Sequence, residues 1–141
     1  MKDPWIAKER FDNISNIKNK LPYNKWVEYI EMHQDYYTWY ENTEGGISEK
    51  NNMDKIPESF REKVLYSLNK TSVRAEFNKK KRYYEVVVQF NDKLNVIGTT
   101  FMKPIKKEHL RRLLDLANHL DALLLDNGKT IIDEKVIEGL G

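Results

Sequence analysis

The stretch at residues 72–101, SVRAEFNKKKRYYEVVVQFNDKLNVIGTTF, decides the fold class. Val73, Ala75 and Phe77 alternate with polar neighbours, and Tyr84, Val86, Val88 and Phe90 repeat the pattern after the basic turn Lys79-Lys80-Lys81. A period of two means strands with a buried face. Asn91-Asp92-Lys93 marks a second turn, so three strands follow one another as an antiparallel meander. Taken as a three-residue loop, that turn sets Phe90 opposite Leu94, Val88 opposite Val96 and Val86 opposite Gly98, which keeps one apolar face in register. Tyr83, Val87, Ile97 and Phe101 occupy the other face, so both faces of the meander are predicted to be covered.

Toward the C-terminus the period changes to 3.6. After Pro104, an amphipathic helix over about 106–119 presents Leu110, Leu113, Leu114, Ala117 and Leu120 on one stripe. Residues 122–125 and 130–132 then flank Asp126-Asn127-Gly128, where Asn-Gly signals a tight hairpin. Asp133 is placed to cap a short final helix that buries Val136, Ile137 and Leu140.

Toward the N-terminus three helices are predicted. Asp3 before Pro4 starts the first, over about 4–20, with Ile6, Phe11, Ile14, Ile17 and Leu21 as its apolar face. The second runs over 25–41 and carries two aromatic stripes, Trp26, Ile30, His33, Tyr37 and Tyr40 beside Tyr29, Met32, Tyr36 and Trp39, until Glu44-Gly45-Gly46 stops it. Residues 47–55 read as a polar loop. Pro57 opens the third, whose buried stripe is Phe60, Val64, Leu65 and Leu68. The expected architecture is one α+β domain over 1–141, helical at about 4–70 and sheet-containing at about 72–140, with three to five mainly antiparallel strands between helical layers.

A chain of 141 residues is long enough for a single core without staples. With no cysteine, disulfides, thiolate metal sites and cysteine nucleophiles are excluded. The 24 basic and 22 acidic residues are interleaved and leave a net charge of only +2, so the chain as a whole exerts no strong pull on polyanions. Lysine and asparagine are abundant, a composition in keeping with an AT-rich bacterial genome. No signal-like apolar run begins the sequence, and segments such as Val86-Val87-Val88 and Leu123-Leu124-Leu125 are too short for a bilayer. A soluble cytoplasmic protein, not membrane-bound, is expected.

The chemistry-bearing residues are sparse. His109 and His119 lie ten residues apart on one helix, which turns them about 80° from each other and three turns apart. His33 lies in the aromatic segment. No metal site and no cofactor is expected. The six glycines form neither a nucleophile elbow nor a phosphate-binding loop, and no catalytic residue is assigned. Two surface features remain. Tyr36, Tyr37, Trp39 and Tyr40 crowd five consecutive positions, more than one core face can hold, which makes Tyr36, Trp39 and Tyr40 the candidate contacts for a protein partner or a second copy of the chain. The basic turn Lys79, Lys80, Lys81 and Arg82, followed by Tyr83 and Tyr84, is the alternative candidate, a weak nucleic-acid contact. By elimination the expected function is a non-enzymatic protein-interaction domain of inhibitor or immunity type. Weak nucleic-acid binding through 79–82 is the alternative, as is a small-ligand or enzyme site assembled only in three dimensions.

Overall fold

The computed structural model describes residues 1–140. Its first element is not a helix but β1 (Trp5–Ala7), which pairs antiparallel with two sequence-distant strands, Ile6 lying opposite both Ile97 and Leu124. This corrects the helix expected over 4–20. Ile6 and Ala7 point to opposite apolar layers and both are fully buried, a demand that a central strand meets in three residues and an amphipathic helix does not. Beyond β1 the chain is irregular apart from a 3-10 turn at Ile14–Asn16, whose Ser15 amide is accepted by Asn13 Oδ1.

α1 (Tyr23–Met32) follows and ends nine residues earlier than expected. The aromatic run that was expected to continue it instead turns at His33 and extends into β2 (Thr38–Trp39), paired with Arg74 and Val73. Aromatic and β-branched side chains favour such a pleated edge. A 3-10 turn at Tyr40–Asn42 leads into α2 (Glu44–Asn51), so Gly45 and Gly46 lie inside a helix rather than ending one, and most of the loop expected at 47–55 is ordered. Thr43 caps α2 by accepting from the Gly46 amide. Gly46 is packed so closely on the preceding turn that a β-carbon there would lie 1.9 Å from the Tyr40 carbonyl oxygen. α3 (Glu58–Ser67) begins after Pro57 as expected, but its stripe is not buried: Phe60 and Leu65 are each 55 % exposed.

The meander is present as β3 (Ser72–Asn78), β4 (Tyr83–Asn91) and β5 (Val96–Phe101). The register between β4 and β5 differs from the expected one by three residues, with Phe90 opposite Ile97 and Val86 opposite Phe101. The cause is the loop. Asn91 Oδ1 accepts from the Lys93 and Leu94 amides while Asn95 takes a left-handed conformation (φ 58°), making a four-residue connection. The β3–β4 loop repeats this design, with Asn78 Oδ1 accepting from Lys80 and Lys81 and Arg82 left-handed at φ 62°. An odd register shift exchanges faces, so Ile97 and Phe101 join the main core and Val96 goes to the opposite side.

α4 (Lys107–His119) matches the expected stripe, with Leu110, Leu113, Ala117 and the capping Leu120 all buried. β6 (Leu123–Asp126) and β7 (Thr130–Ile131) form the hairpin about Asn127 and Gly128, both at positive φ, and Asp133 caps α5 (Glu134–Glu138) by accepting from Val136. Of the final stripe, Ile137 is buried and Leu140 half-buried, while Val136 is exposed.

The result is an α+β fold with five helices, among the described residues, and a seven-stranded antiparallel sheet in the order β2-β3-β4-β5-β1-β6-β7. Trp26 and Ile30 of α1 and Leu110, Leu113 and Ala117 of α4 share the main core with Ile6, Val73, Val88, Ile97 and Leu124. The second face is only half covered. Over β1, β5 and β6, a smaller cluster joins Ile17, Phe11 and Ile14 to Trp5, Ala7, Val96 and Leu125. Over β3 and β4 nothing equivalent is laid down, and a groove remains.

Candidate functional site

The floor of that groove comes from β3 and β4, where Arg74 lies opposite Val87. Its walls are the turn and start of α2, through Tyr40, Thr43, Glu44 and Gly45, and the hairpin residues Phe77, Arg82, Tyr83 and Tyr84, with Met102 at one end. The volume is about 550 Å³. Phe77 is 48 % and Met102 53 % exposed, and Tyr83 is also open to solvent, an accumulation of wet apolar surface that an ordinary solvated sheet face lacks.

Phe77 reaches this groove because β3 breaks its own alternation. Arg74 and Phe77 are three residues apart and would face opposite sides of a regular strand, yet both line the groove. Between them Glu76 adopts φ 56°, a left-handed conformation that a β-carbon disfavours. Its carboxylate is held on three sides. Lys103 Nζ and His109 Nε2 each donate at 2.7 Å, and the Tyr36 hydroxyl donates as well. Burial alone would raise this carboxyl group, but the bonds from Lys103, Tyr36 and His109 outweigh it and hold the group at about 2.

His109 is itself fixed at both nitrogens. The Lys106 amide donates to Nδ1 at 2.9 Å, so the ring proton resides on Nε2 and is directed at Glu76. The lone pair on Nδ1 is taken up by that amide. Tyr36, with its ring beneath the Arg112 guanidinium at 3.8 Å, has its ionisation pushed upward by burial and by its bond to Glu76. The cluster is closed and saturated, and what it does is anchor β3 to the start of α4.

The groove is built differently. Arg74 stacks its guanidinium 4.3 Å from the Tyr40 ring centre and donates from Nη1 to Ser72 Oγ at 2.5 Å. Burial holds its pKa below the ordinary arginine value, although the group remains charged at neutral pH. The Tyr40 hydroxyl donates to Glu49, and burial followed by that bond pushes the phenol up to about 12. Among the described residues neither Arg74 nor Arg82 forms an ion pair, and the same holds for Lys79, Lys80 and Lys81.

The two surface candidates therefore meet in one place, though not with every residue. Tyr40 and Arg82 face each other across the groove, and Lys79, Lys80 and Lys81 form the exposed loop beside it. Trp39 does not take part. It is 2 % exposed, packed edge-on to Trp26 at 6.1 Å, because its position in β2 turns it into the main core; the expectation that it stays accessible is overturned. Tyr36 is half-buried in the Glu76 cluster rather than at the groove. Tyr83 and Tyr84 were expected beside the basic turn, whereas Arg74, Phe77 and Met102 carry no site assignment from sequence. An arginine between two buried strand residues, Val73 and Ala75, was the available signal for Arg74; nothing in the sequence signals the reversal at Glu76.

Among the described residues no group of three His, Asp or Glu side chains could hold a metal ion, and no helix is long and apolar enough to cross a membrane. No protein-family model, curated protein or solved structure matches the chain.

Proposed function

We propose that this protein is a non-enzymatic protein-interaction domain of inhibitor or immunity type, which docks an acidic protein partner in the groove between α2 and the β3–β4 hairpin. The observation that carries this reading is the convergence of exposed aromatic and apolar side chains with unpaired cations: Phe77, Tyr83 and Met102 supply desolvable area beside Arg74 and Arg82. Tyrosine and arginine dominate the energetics of protein interfaces, since both are large, semi-rigid and able to hydrogen-bond while their bodies are buried. With Lys79, Lys80 and Lys81 alongside, the rim is locally basic in a chain of net charge only +2, which selects for acidic surface on the partner.

The test uses wild type and the Arg82→Glu, Tyr83→Ser double variant as baits in the native cell extract, with melting temperatures matched. A partner retained by wild type and lost by the variant, whose purified form then binds wild type at least about tenfold more tightly, supports the reading. Equal binding to both baits overturns it.

One observation favours a second reading. Tyr83 and Tyr84 directly follow the basic loop and line the groove with Arg82, an arrangement on which unpaired bases could stack while lysines follow the phosphates. A deoxythymidine oligonucleotide that binds with a steep salt dependence, and loses that dependence when Lys79, Lys80 and Lys81 become alanine, would establish it.

A further inference from the structure

Arg74 is the one cation of the groove that is half-buried, and its surroundings are unusual for a charge taken partly out of water. Such a charge is ordinarily compensated by a carboxylate. Here the neighbouring acid, Glu49, is engaged by the Tyr40 hydroxyl, and Arg74 makes no ion pair with any described residue. What holds it is neutral: the Tyr40 ring on one side, Ser72 Oγ and, more weakly at 3.4 Å, the Val73 carbonyl oxygen at Nη1. Both acceptors lie at a single nitrogen, which leaves Nε and Nη2 without a hydrogen-bond partner among the described residues. A guanidinium pinned through one corner and stacked on a ring is pre-oriented for a bidentate acceptor, and its side-chain entropy has already been lost.

From these contacts we infer that Arg74 is an anchor for a single carboxylate, an aspartate or glutamate side chain of the protein partner that enters the groove between Tyr40 and the Phe77, Tyr83 and Tyr84 rings. The occupant is a protein carboxylate rather than a run of phosphates because Glu44 stands in the same groove wall. A nucleic-acid strand brings one charge at every nucleotide and would meet that carboxylate, whereas an isolated acid flanked by apolar residues would not. Arg82, exposed at the hairpin, guides the approach; Arg74, stacked and half-buried, sets the position.

This anchor rests on the groove being the docking surface, and the experiment separates the two. The whole protein is titrated at about physiological ionic strength with a blocked hexapeptide carrying one glutamate among leucine and serine residues, with its glutamine counterpart, and with a deoxythymidine oligonucleotide, while the arginine Nε–H and tyrosine ring resonances are followed. The expected result is that the glutamate peptide shifts Arg74 Nε–H together with the Tyr83 and Tyr84 rings, that the glutamine peptide binds roughly tenfold more weakly, and that Arg74→Gln removes the difference. Arg74→Lys, which keeps the charge and the fold but not the fork, also weakens the glutamate peptide. Groove tyrosines that respond to the peptide equally in wild type and Arg74→Gln would overturn the anchor and leave the groove standing. Tyrosines that respond to neither peptide overturn both. Tighter saturation of the same signals by the oligonucleotide assigns the groove to nucleic acid and overturns the carboxylate.

Discussion

Glu76 links the two halves of the structure. Its left-handed backbone turns one side chain into the cluster with Lys103, His109 and Tyr36 and the next, Phe77, out into the groove. The backbone cost of that conformation is about 1 to 2 kcal/mol and is offset by the three charge-assisted bonds. Replacement by glycine and by alanine separates the two contributions. Both variants lose the carboxylate, but Glu76→Gly is expected to be the more stable by about 1 kcal/mol, although glycine inside a strand ordinarily weakens it. Denaturant midpoints of the two variants decide this, and a more stable alanine variant would mean that no strain is stored at residue 76. Acid adds a second reading of the same side chain. Because its folded-state value is about 2 against an ordinary 4.5, its contribution is complete above pH 4.5 and is lost as pH falls toward 2. With solvent screening at this half-buried position, the loss is on the order of 1 to 2 kcal/mol. Glu76→Gln is less stable at neutral pH and has a flatter melting curve over that acid window; parallel curves for variant and wild type would show that the cluster does not bind the ionised form preferentially.

The elements differ in how plainly they are written in the chain. α4, the β6–β7 hairpin and α5 each carry a complete local signal, a 3.6-residue stripe, an Asn-Gly turn or an aspartate cap, and each lies within a few residues of its expected place. β1 carries no such signal. Three residues cannot display a period, and what makes them a strand is the pair of neighbours at Ile97 and Leu124, which local sequence does not contain. The β4–β5 register departs from the expected one because β4 runs one residue further, to Asn91, and β5 begins two residues later, at Val96, after the left-handed Asn95. Of the groove, the aromatic run and the basic turn supplied Tyr40 and Arg82, while their meeting depends on β2 folding back onto β3. α3 shows the opposite failure, a readable stripe with no core to receive it. Changing Phe60 and Leu65 together to serine is accordingly expected to cost less than about 1 kcal/mol, whereas Leu113→Ala in α4 costs about 2 to 4 kcal/mol. Thermal melts of the two variants check this, and a large loss from the α3 pair would show that residues 58–67 contribute to the cooperative core.

For the whole molecule, the order of strands matters more than their number. The meander β3-β4-β5 lies on one side of β1, and the hairpin β6-β7 on the other, so within the sheet these two units touch only through Trp5, Ile6 and Ala7. Both edges end in two-residue strands, which offer little template for pairing with another chain, whereas a missing centre would expose the longer β5 and β6, of six and four residues. Ile6 fills the main core from this position while Trp5 lies over Gly98 in the second cluster, where a β-carbon would come within 3.0 Å of its ring. The same short strand thus closes the sheet and joins both cores. A chain lacking residues 1–8 is therefore expected to lose cooperative unfolding altogether, rather than to shed one strand, because the hairpin and α5 would keep no sheet pairing to the meander and would be tied to it by packing on α4 and on residues 11–17. Ile6→Ala, which keeps the backbone pairing, should instead remain cooperative and lose about 2 to 4 kcal/mol. Urea titrations followed by circular dichroism and by tryptophan fluorescence measure both: coincident, sigmoidal transitions for the shortened chain, within about 1 kcal/mol of wild type, would show that β1 is an addition to the sheet and not its keystone.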